Sequence, residues 1–347
     1  MALVVESAGL CCSVGATLAS AAHAVRARVD HFQRSEFRDS TGLPVVVARL
    51  KVDNDLWGPR RLAQWIHASV EDCLQGAQQR HQVSDLPLFW LGPEPARRGA
   101  NPGWYRAAYE HAQTLMGGSF HPDSKLFALG KAGLPALLTH AEQWLSANPG
   151  RAALVLGADT LLESADIGQY LRAQRLLVGE NSDGFIPGEA AATLLLRPQL
   201  PAPVGQTRLH VLGWGAGQEP GRSDGSVPTR SVGLTDALRA AMERSGLAFE
   251  QIGFRFSDQN GEAWFAKEAA SALARVTPVG GHKLPVQTLA DCIGEVGAAT
   301  GPAMLAYLHA LSPALGRPPY APAMTGLLHC ACDGDLRAAA VVAFRAN

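Results

Sequence analysis

The side chains best suited to covalent chemistry lie in the last quarter of the chain. Cys292 follows Asp291 in "LADCIGEVG", and His329 opens "HCACD". A cysteine at the start of a helix can become a nucleophilic thiolate, because the helix dipole and free N–H groups lower its pKa. Cys292, Asp291 and His329 therefore suggest one functional hypothesis: the protein is a hydrolase or a transferase that acts on thioesters or acyl groups.

The spacing of "HCACD" also invites a metal reading, with Cys330, Cys332 and His329 as ligands. Zinc sites usually combine C-x₂-C spacings with a second ligand pair elsewhere, and none is evident here. We therefore predict buried thiols and no metal. "GGSFHPD" at 117–123 lacks the G-x-S-x-G frame of a serine nucleophile, and no dinucleotide or Walker fingerprint occurs, so no cofactor is predicted.

A third chemical candidate is the acid in "SDGFIPGEAAATLLL", residues 182–196. Glu189 stands where a Gly-rich loop enters a run of apolar residues typical of a fully buried strand. Either the carboxylate holds the turn by accepting backbone N–H bonds, or it belongs to a functional site.

The elements that must position these residues alternate between short apolar runs and helix-like segments, which indicates a layered α/β fold. Leu238, Ala241 and Met242 form an apolar stripe in a predicted helix over 235–246, which Thr235 or Asp236 can cap and Gly246 can end. Five segments have the apolar character of strands: 152–157, 192–197, 209–215, 252–256 and 337–344.

The chain divides into two similar halves, 1–200 and 201–347, at the Pro-rich stretch 197–206. Each half contains a long apolar helix after a Gly-containing turn, at 130–145 and 294–311. The segment 95–124 is harder to place and suggests an inserted cap.

Composition excludes several classes of protein. Of its 347 residues, 47% are hydrophobic and 18% are charged, which is typical of a globular protein. The net charge is −1, so electrostatics do not favour binding to nucleic acid. No apolar run is long enough for a membrane span, and the N-terminus lacks the basic region of a signal peptide. Six cysteines in a chain this long do not make a disulfide framework, so we expect a cytoplasmic protein.

The order of these segments resembles the β-ketoacyl synthases of the thiolase superfamily. The most specific match is "SDGFIPGEA", which is similar to the family pattern R-D-G-F-x-x-G-E-G-A. The resemblance implies a thiolase-like fold in which two similar α/β halves form an α-β-α-β-α core. It also implies that the loop of Gly188 and Glu189 lies beside the active centre.

The resemblance further implies three catalytic positions, and each holds a replacement. The cysteine of the A-C-x-S-G turn falls on Gly130, or on Lys131 with a shift of one residue. The histidine of A-H-G-T falls on Asn260, followed by Gly261 and Glu262. The second histidine is assigned to Asp291.

These replacements indicate a catalytically inactive ketoacyl synthase-like protein, a scaffold or dimer partner. By resemblance, the partner is a second copy or a related subunit, as for a chain-length factor, or a type VI secretion effector or adaptor. We expect the former active site to be polar and internally paired, with Lys283 or Lys131 facing the acids, and to bind acyl thioesters weakly or not at all.

Overall fold

Strands and helices alternate along the chain in a computed structural model that describes residues 1–50, 56–179, 181–198, 207–312 and 324–346. The strands are β1 (Leu3–Cys12), β2 (Phe32–Arg38), β3 (Pro44–Ala48), β4 (Leu88–Gly92), β5 (Lys125–Ala128), β6 (Ala153–Thr160), β7 (Glu189–Arg197), β8 (Thr207–Gln218), β9 (Phe254–Ser257), β10 (Val286–Gln287), β11 (Thr325–Ala331) and β12 (Leu336–Ala346). The helices are α1 (Leu18–Arg26), α2 (Gly58–Gln75), α3 (Pro102–Leu115), α4 (Leu134–Ala147), α5 (Ser164–Arg172), α6 (Val232–Ser245), α7 (Ala263–Val276), α8 (Ala290–Ile293) and α9 (Thr300–Leu311).

Ten of these strands form two groups of five that repeat one order. The first group runs β1-β7-β6-β4-β5 and the second runs β8-β12-β11-β9-β10. In both groups the first two pairings are antiparallel and the last two are parallel. The groups meet where β1 pairs with β8 over two residue pairs, Leu3 with Val211 and Val4 with His210.

The two groups join through β1 and β8 into one ten-stranded sheet, and we call them the first and the second sheet. Three apolar layers separate and cover these two sheets. The largest cluster contains residues of both sheets together with α1, α4 and α9, so these helices form the middle layer. Helices α2 and α3 pack on the outer face of the first sheet. Helices α6 and α7 pack on the outer face of the second. The result is the layered α-β-α-β-α core with two similar halves, and it confirms the predicted fold class.

Glycine allows the outer helices to approach their sheets closely. A Cβ on Gly9 of β1 would lie 2.0 Å from the Ser69 carbonyl oxygen of α2. A Cβ on Gly217 of β8 would lie 2.1 Å from the Gly233 carbonyl oxygen of α6. In both halves, a glycine on the corresponding strand therefore lets the outer helix pack directly against the strand backbone.

Several expectations about single elements can now be compared with the structure. Helix α6 begins at Val232, three residues before the predicted start, and Gly246 ends it in the left-handed region with φ 69°. Residues 95–124 carry α3 and connect the parallel strands β4 and β5. The boundary predicted at 200 lies outside the described residues.

No helix in the described ranges is long and apolar enough to cross a membrane.

Candidate functional site at the Gly130 turn

The turn after β5 has a backbone conformation that only glycine adopts readily. Gly130 has φ 63° and ψ −169°, and a single 3₁₀ turn, Lys131–Gly133, leads from it into α4. Backbone of this kind is costly for any residue with a Cβ. The sequence therefore builds a sharp strand-to-helix turn and leaves its apex without a side chain.

Neighbouring side chains fill the space in which a side chain at position 130 would lie. A Cβ on Gly130 would be 2.5 Å from Glu94 Cγ and 2.9 Å from Cys332 Sγ. The amide of Gly130 donates to the Gly92 carbonyl at 3.0 Å, and the amide of Ala132 donates to Cys332 Sγ at 3.1 Å. The amides of Gly130 and Ala132 are thus already used within the chain.

Lys131 is a buried cation between two carboxylates. Its Nζ lies 2.8 Å from Glu295 Oε2 and 3.2 Å from Asp258 Oδ2. Burial alone would lower the pKa of the Lys131 ammonium, but the two carboxylates outweigh burial and hold it well above its usual value. The amine stays protonated and cannot attack a carbonyl.

A second ion-pair group adjoins the first. Arg175 Nε lies 2.6 Å from Glu262 Oε1, and its NH1 lies 2.7 Å from Asp333 Oδ2. Asn260 Nδ2 donates to Glu262 at 3.2 Å and to Glu295 at 2.8 Å, and so links the two groups. Acids and bases at the turn are therefore paired internally, as expected.

The whole chain resembles known ketosynthase structures. The oxazolomycin ketosynthase domain OzmH KS7 of Streptomyces albus JA3453 matches with a TM-score of 0.76 at 15% identity, over 99% of this chain and 75% of that chain. A type II polyketide synthase acyl-carrier protein in complex with its ketosynthase (AntDE:AntF) matches with a TM-score of 0.78 at 14% identity, over 99% and 98% of the two chains. A ketosynthase in complex with its chain length factor, ApeO and ApeC from Xenorhabdus doucetiae, gives 0.75 at 14%, again over 99% and 98%.

The chain has the ketosynthase fold. No protein-family model and no curated protein matches its sequence.

Placed on the ketosynthase fold, two of the three predicted catalytic positions meet in space. Lys131, beside Gly130, and Asn260 both contact Glu295. Asp291 does not reach this group, because it is exposed at the start of the short helix α8. The structure therefore does not bring Asp291 together with the other two predicted positions, whereas Glu295, four residues later, contacts both Lys131 and Asn260.

The alternative nucleophile, Cys292, lies away from the Gly130 turn. Its side chain is buried in the middle apolar layer, and burial, followed by the charge of Asp291, raises the pKa of the thiol. His282 contacts the Ile252 carbonyl at 2.7 Å, and His329 faces Asp258 at 3.9 Å. The structure therefore does not assemble a nucleophile and base from Cys292, Asp291 and His329.

His329 is a neutral, fully buried imidazole. Burial lowers its pKa to about 4, although Asp258 acts in the opposite direction. Its Nε2 has no hydrogen-bond partner among the described residues.

Glu189 is paired with an arginine that the sequence analysis missed. Arg61 of α2 donates through Nε to both carboxylate oxygens at 3.1 Å, and its NH2 reaches Oε1 at 2.5 Å. Glu189 is only 2% exposed. Among the described residues, the hydrogen-bond partners of this carboxylate are Arg61 and the Thr160 hydroxyl, rather than backbone N–H groups of its turn.

Two glycines of the predicted active-centre segments, Gly188 before Glu189 and Gly261 after Asn260, allow close backbone contact. The Gly188 amide donates to the Glu295 carbonyl at 2.8 Å, which ties the Glu189 loop to the Gly130 site. Gly261 has φ 115°, and a Cβ there would lie 2.5 Å from the Gly184 carbonyl oxygen.

Glu262, which was expected to face a lysine, pairs with Arg175 instead, and Lys283 is exposed at the surface. Within the described ranges, no group of three or more His, Cys, Asp or Glu is arranged to hold a metal ion, and Cys330 and Cys332 are free, buried thiols.

Proposed function

We propose that this chain is a non-catalytic subunit of the ketosynthase fold that works by pairing with another subunit of that fold. The observation that carries the proposal is the apex of the turn at Gly130. There the position of a nucleophile has no side chain, and Glu94 and Cys332 occupy the space.

The surrounding charges also oppose condensation chemistry. Condensation and decarboxylation need donors aimed at a developing oxyanion. Here Glu295 and Asp258 place negative charge beside Lys131, and both bind its ammonium group. Asn260 can donate a hydrogen bond but cannot carry a proton through a catalytic cycle.

Decarboxylation of a malonyl carrier protein tests this half of the proposal. We expect carbon dioxide release by the pure protein to equal that of a heat-treated control. Steady release above the control would contradict it.

The edge strand β5 supports the pairing half of the proposal. Among the described strands, β5 pairs only with β4, so its other edge is open. Leu126 in β5 is 40% exposed. An open edge with an exposed leucine is a natural site for addition of a strand from a second chain. The Glu189 loop is already engaged within the chain, so we place the interface at β5.

Two similar structures support a partner of the same fold. The ApeO and ApeC structure and the ishigamide structure are each described as a ketosynthase with a chain length factor, and the ishigamide structure matches with a TM-score of 0.70 at 16% identity. The partner is thus a second copy or a related subunit. The resemblance to accessory proteins of type VI secretion effectors suggests an alternative partner, which is a secretion effector or adaptor protein.

Light scattering with two matched variants tests the interface. We expect Leu126→Glu to convert a dimer to a monomer, because it places a charge in the middle of the edge. Leu115→Glu is the control, since Leu115 is 44% exposed and ends α3 rather than belonging to β5. A monomer mass for the unaltered chain, alone and with each co-encoded homologue, would refute pairing. A pull-down from the native organism identifies which partner is used.

A further inference from the structure

Helix α4 has an exposed face beside the open edge of β5. The helix belongs to the middle layer, yet Ala136 and Gln143 are exposed, and His140 between them is half-buried. Successive members of this set are three or four positions apart, so they lie on one face of the helix. Phe127 of β5 packs against this face, with its ring centroid 5.2 Å from that of His140. A chain that adds a strand to β5 would therefore cover His140.

His140 packs between two aromatic rings and has no hydrogen-bonding partner. Its ring lies edge-on to Phe89 of β4, with the centroids 4.7 Å apart, and β4 contributes no charged side chain. Lys125 Nζ lies 5.2 Å from the ring centroid of Phe127, so the ammonium and the imidazole contact the same ring. Within the described part of the chain, neither imidazole nitrogen of His140 makes a hydrogen bond. The imidazole can therefore take up a proton without breaking a hydrogen bond.

The charged groups that face His140 are Lys125 of β5 and Asp123 of the preceding loop. Burial, followed by the charge of Lys125, lowers the pKa of His140, and Asp123 acts in the opposite direction. The Asp123 carboxylate is already engaged, because its Oδ2 accepts from Trp144 Nε1 at 2.8 Å and lies 3.6 Å from His121 Nδ1. His140 is therefore neutral at pH 7 and becomes a cation in mild acid.

Protonation changes the charge balance of this surface. Near neutral pH, the charges of Lys125 and Asp123 cancel. When the two histidines are protonated, the surface gains two positive charges, and Glu142 of α4 does not offset them because it pairs with Arg244. In a dimer of identical chains, the same surface faces its own copy across a two-fold axis, and like charges repel.

We infer that pairing of two copies at β5 is controlled by pH through His140: the chains pair when its imidazole is neutral and separate when it is protonated. This inference rests on the proposed pairing at β5. An interface that buries a histidine disfavours the charged form, so pairing lowers the pKa of His140 further. Pairing is then strongest above the pKa of His140 in the free chain and is lost as the pH falls through that value.

Light scattering over a dilution series at pH 7.5 and pH 5.0 measures the effect. We expect the dissociation constant of the dimer to rise about tenfold or more between the two, because each dimer contains two such histidines. Circular dichroism at pH 5.0 checks that the separated chains are still folded.

Two further measurements identify His140 as the group that titrates. His140→Gln keeps a polar side chain that does not ionise, so we expect pairing at pH 7.5 to persist and the loss at pH 5.0 to shrink to about threefold or less. His23→Gln removes an exposed histidine of α1 and should leave the pH profile unchanged. Dilution calorimetry of the unaltered chain at pH 6, in two buffers with different ionisation enthalpies, should show proton uptake as the dimer separates. This measurement remains informative even if His140→Gln does not fold.

Three results would overturn the inference. One is a dimer with the same dissociation constant at both pH values. Another is a folded His140→Gln variant that loses pairing in acid as the unaltered chain does. The third is dilution at pH 6 without proton uptake. A chain that is monomeric alone at pH 7.5 also overturns it, whereas the pairing proposal fails only if every co-encoded homologue leaves the chain monomeric too.

Discussion

Replacing Gly130 with alanine tests whether the apex of the turn after β5 has room for a side chain. The backbone there, with φ 63° and ψ −169°, costs a residue with a Cβ about 1–3 kcal/mol. A Cβ 2.5 Å from Glu94 Cγ adds an overpacking cost of about 1–3 kcal/mol. We therefore expect Gly130→Ala to lower the free energy of unfolding by about 2–6 kcal/mol, measured by urea denaturation followed by circular dichroism.

Gly246→Ala provides the control for backbone strain alone. Gly246 also has a left-handed backbone, with φ 69° and ψ 13°, but nothing lies within 4 Å of the position of its Cβ. We expect this variant to lose only about 1 kcal/mol. In a Glu94→Ala background the overpacking part of the Gly130→Ala cost should shrink, because the Cγ atom is gone and only the contact with Cys332 Sγ at 2.9 Å remains. The reasoning fails if Gly130→Ala costs no more than Gly246→Ala, or costs the same with and without Glu94.

Three further predictions follow from buried groups. Lys131→Met leaves Glu295 and Asp258 buried without a cation, so we expect a loss of about 3–5 kcal/mol in urea denaturation; a loss under 1 kcal/mol would contradict the buried pairing. The pKa of His329 is lowered from 6.5 to about 4, so its contribution to stability is present above pH 6.5 and is lost as the pH falls to 4. That loss amounts to about 3 kcal/mol, and His329→Gln should flatten this part of the pH profile of unfolding. Cys292 should react with a thiol reagent or an acyl probe only after denaturation, because the thiol is buried and its pKa is raised; rapid native labelling that Cys292→Ala abolishes would favour an enzyme.

Local patterns were enough to predict much of the fold. The apolar run at 192–197 lies within β7, and the apolar stripe at Leu238 lies within α6, because both follow from the period of a single element. The predicted start of α6 is too late because the residue that precedes the helix, Ser231, has a left-handed backbone and makes no side-chain capping hydrogen bond. The usual sequence pattern of a capped helix start therefore does not apply here.

The site was harder to predict because its partners are distant in sequence. Arg61 and Glu189 are 128 residues apart, and Arg175 and Glu262 are 87 residues apart. No local period connects such pairs. The sequence also could not show that Glu295, rather than Asp291, contacts Lys131 and Asn260, because the small residues around it allow the motif to be aligned in more than one register.

The ion pairs at the Gly130 turn have a consequence for how the chain folds. Lys131 and Glu295 are 164 residues apart and belong to different halves, as do Arg175 and Glu262. A nascent chain that ends after β7 carries both cations but not yet these counter-charges. Burying those cations alone is costly, so the first half cannot close its inner face until the second has been synthesised. A truncated chain would remain unfolded at this surface and would be open to proteolysis. We therefore expect the two halves to fold as one cooperative unit.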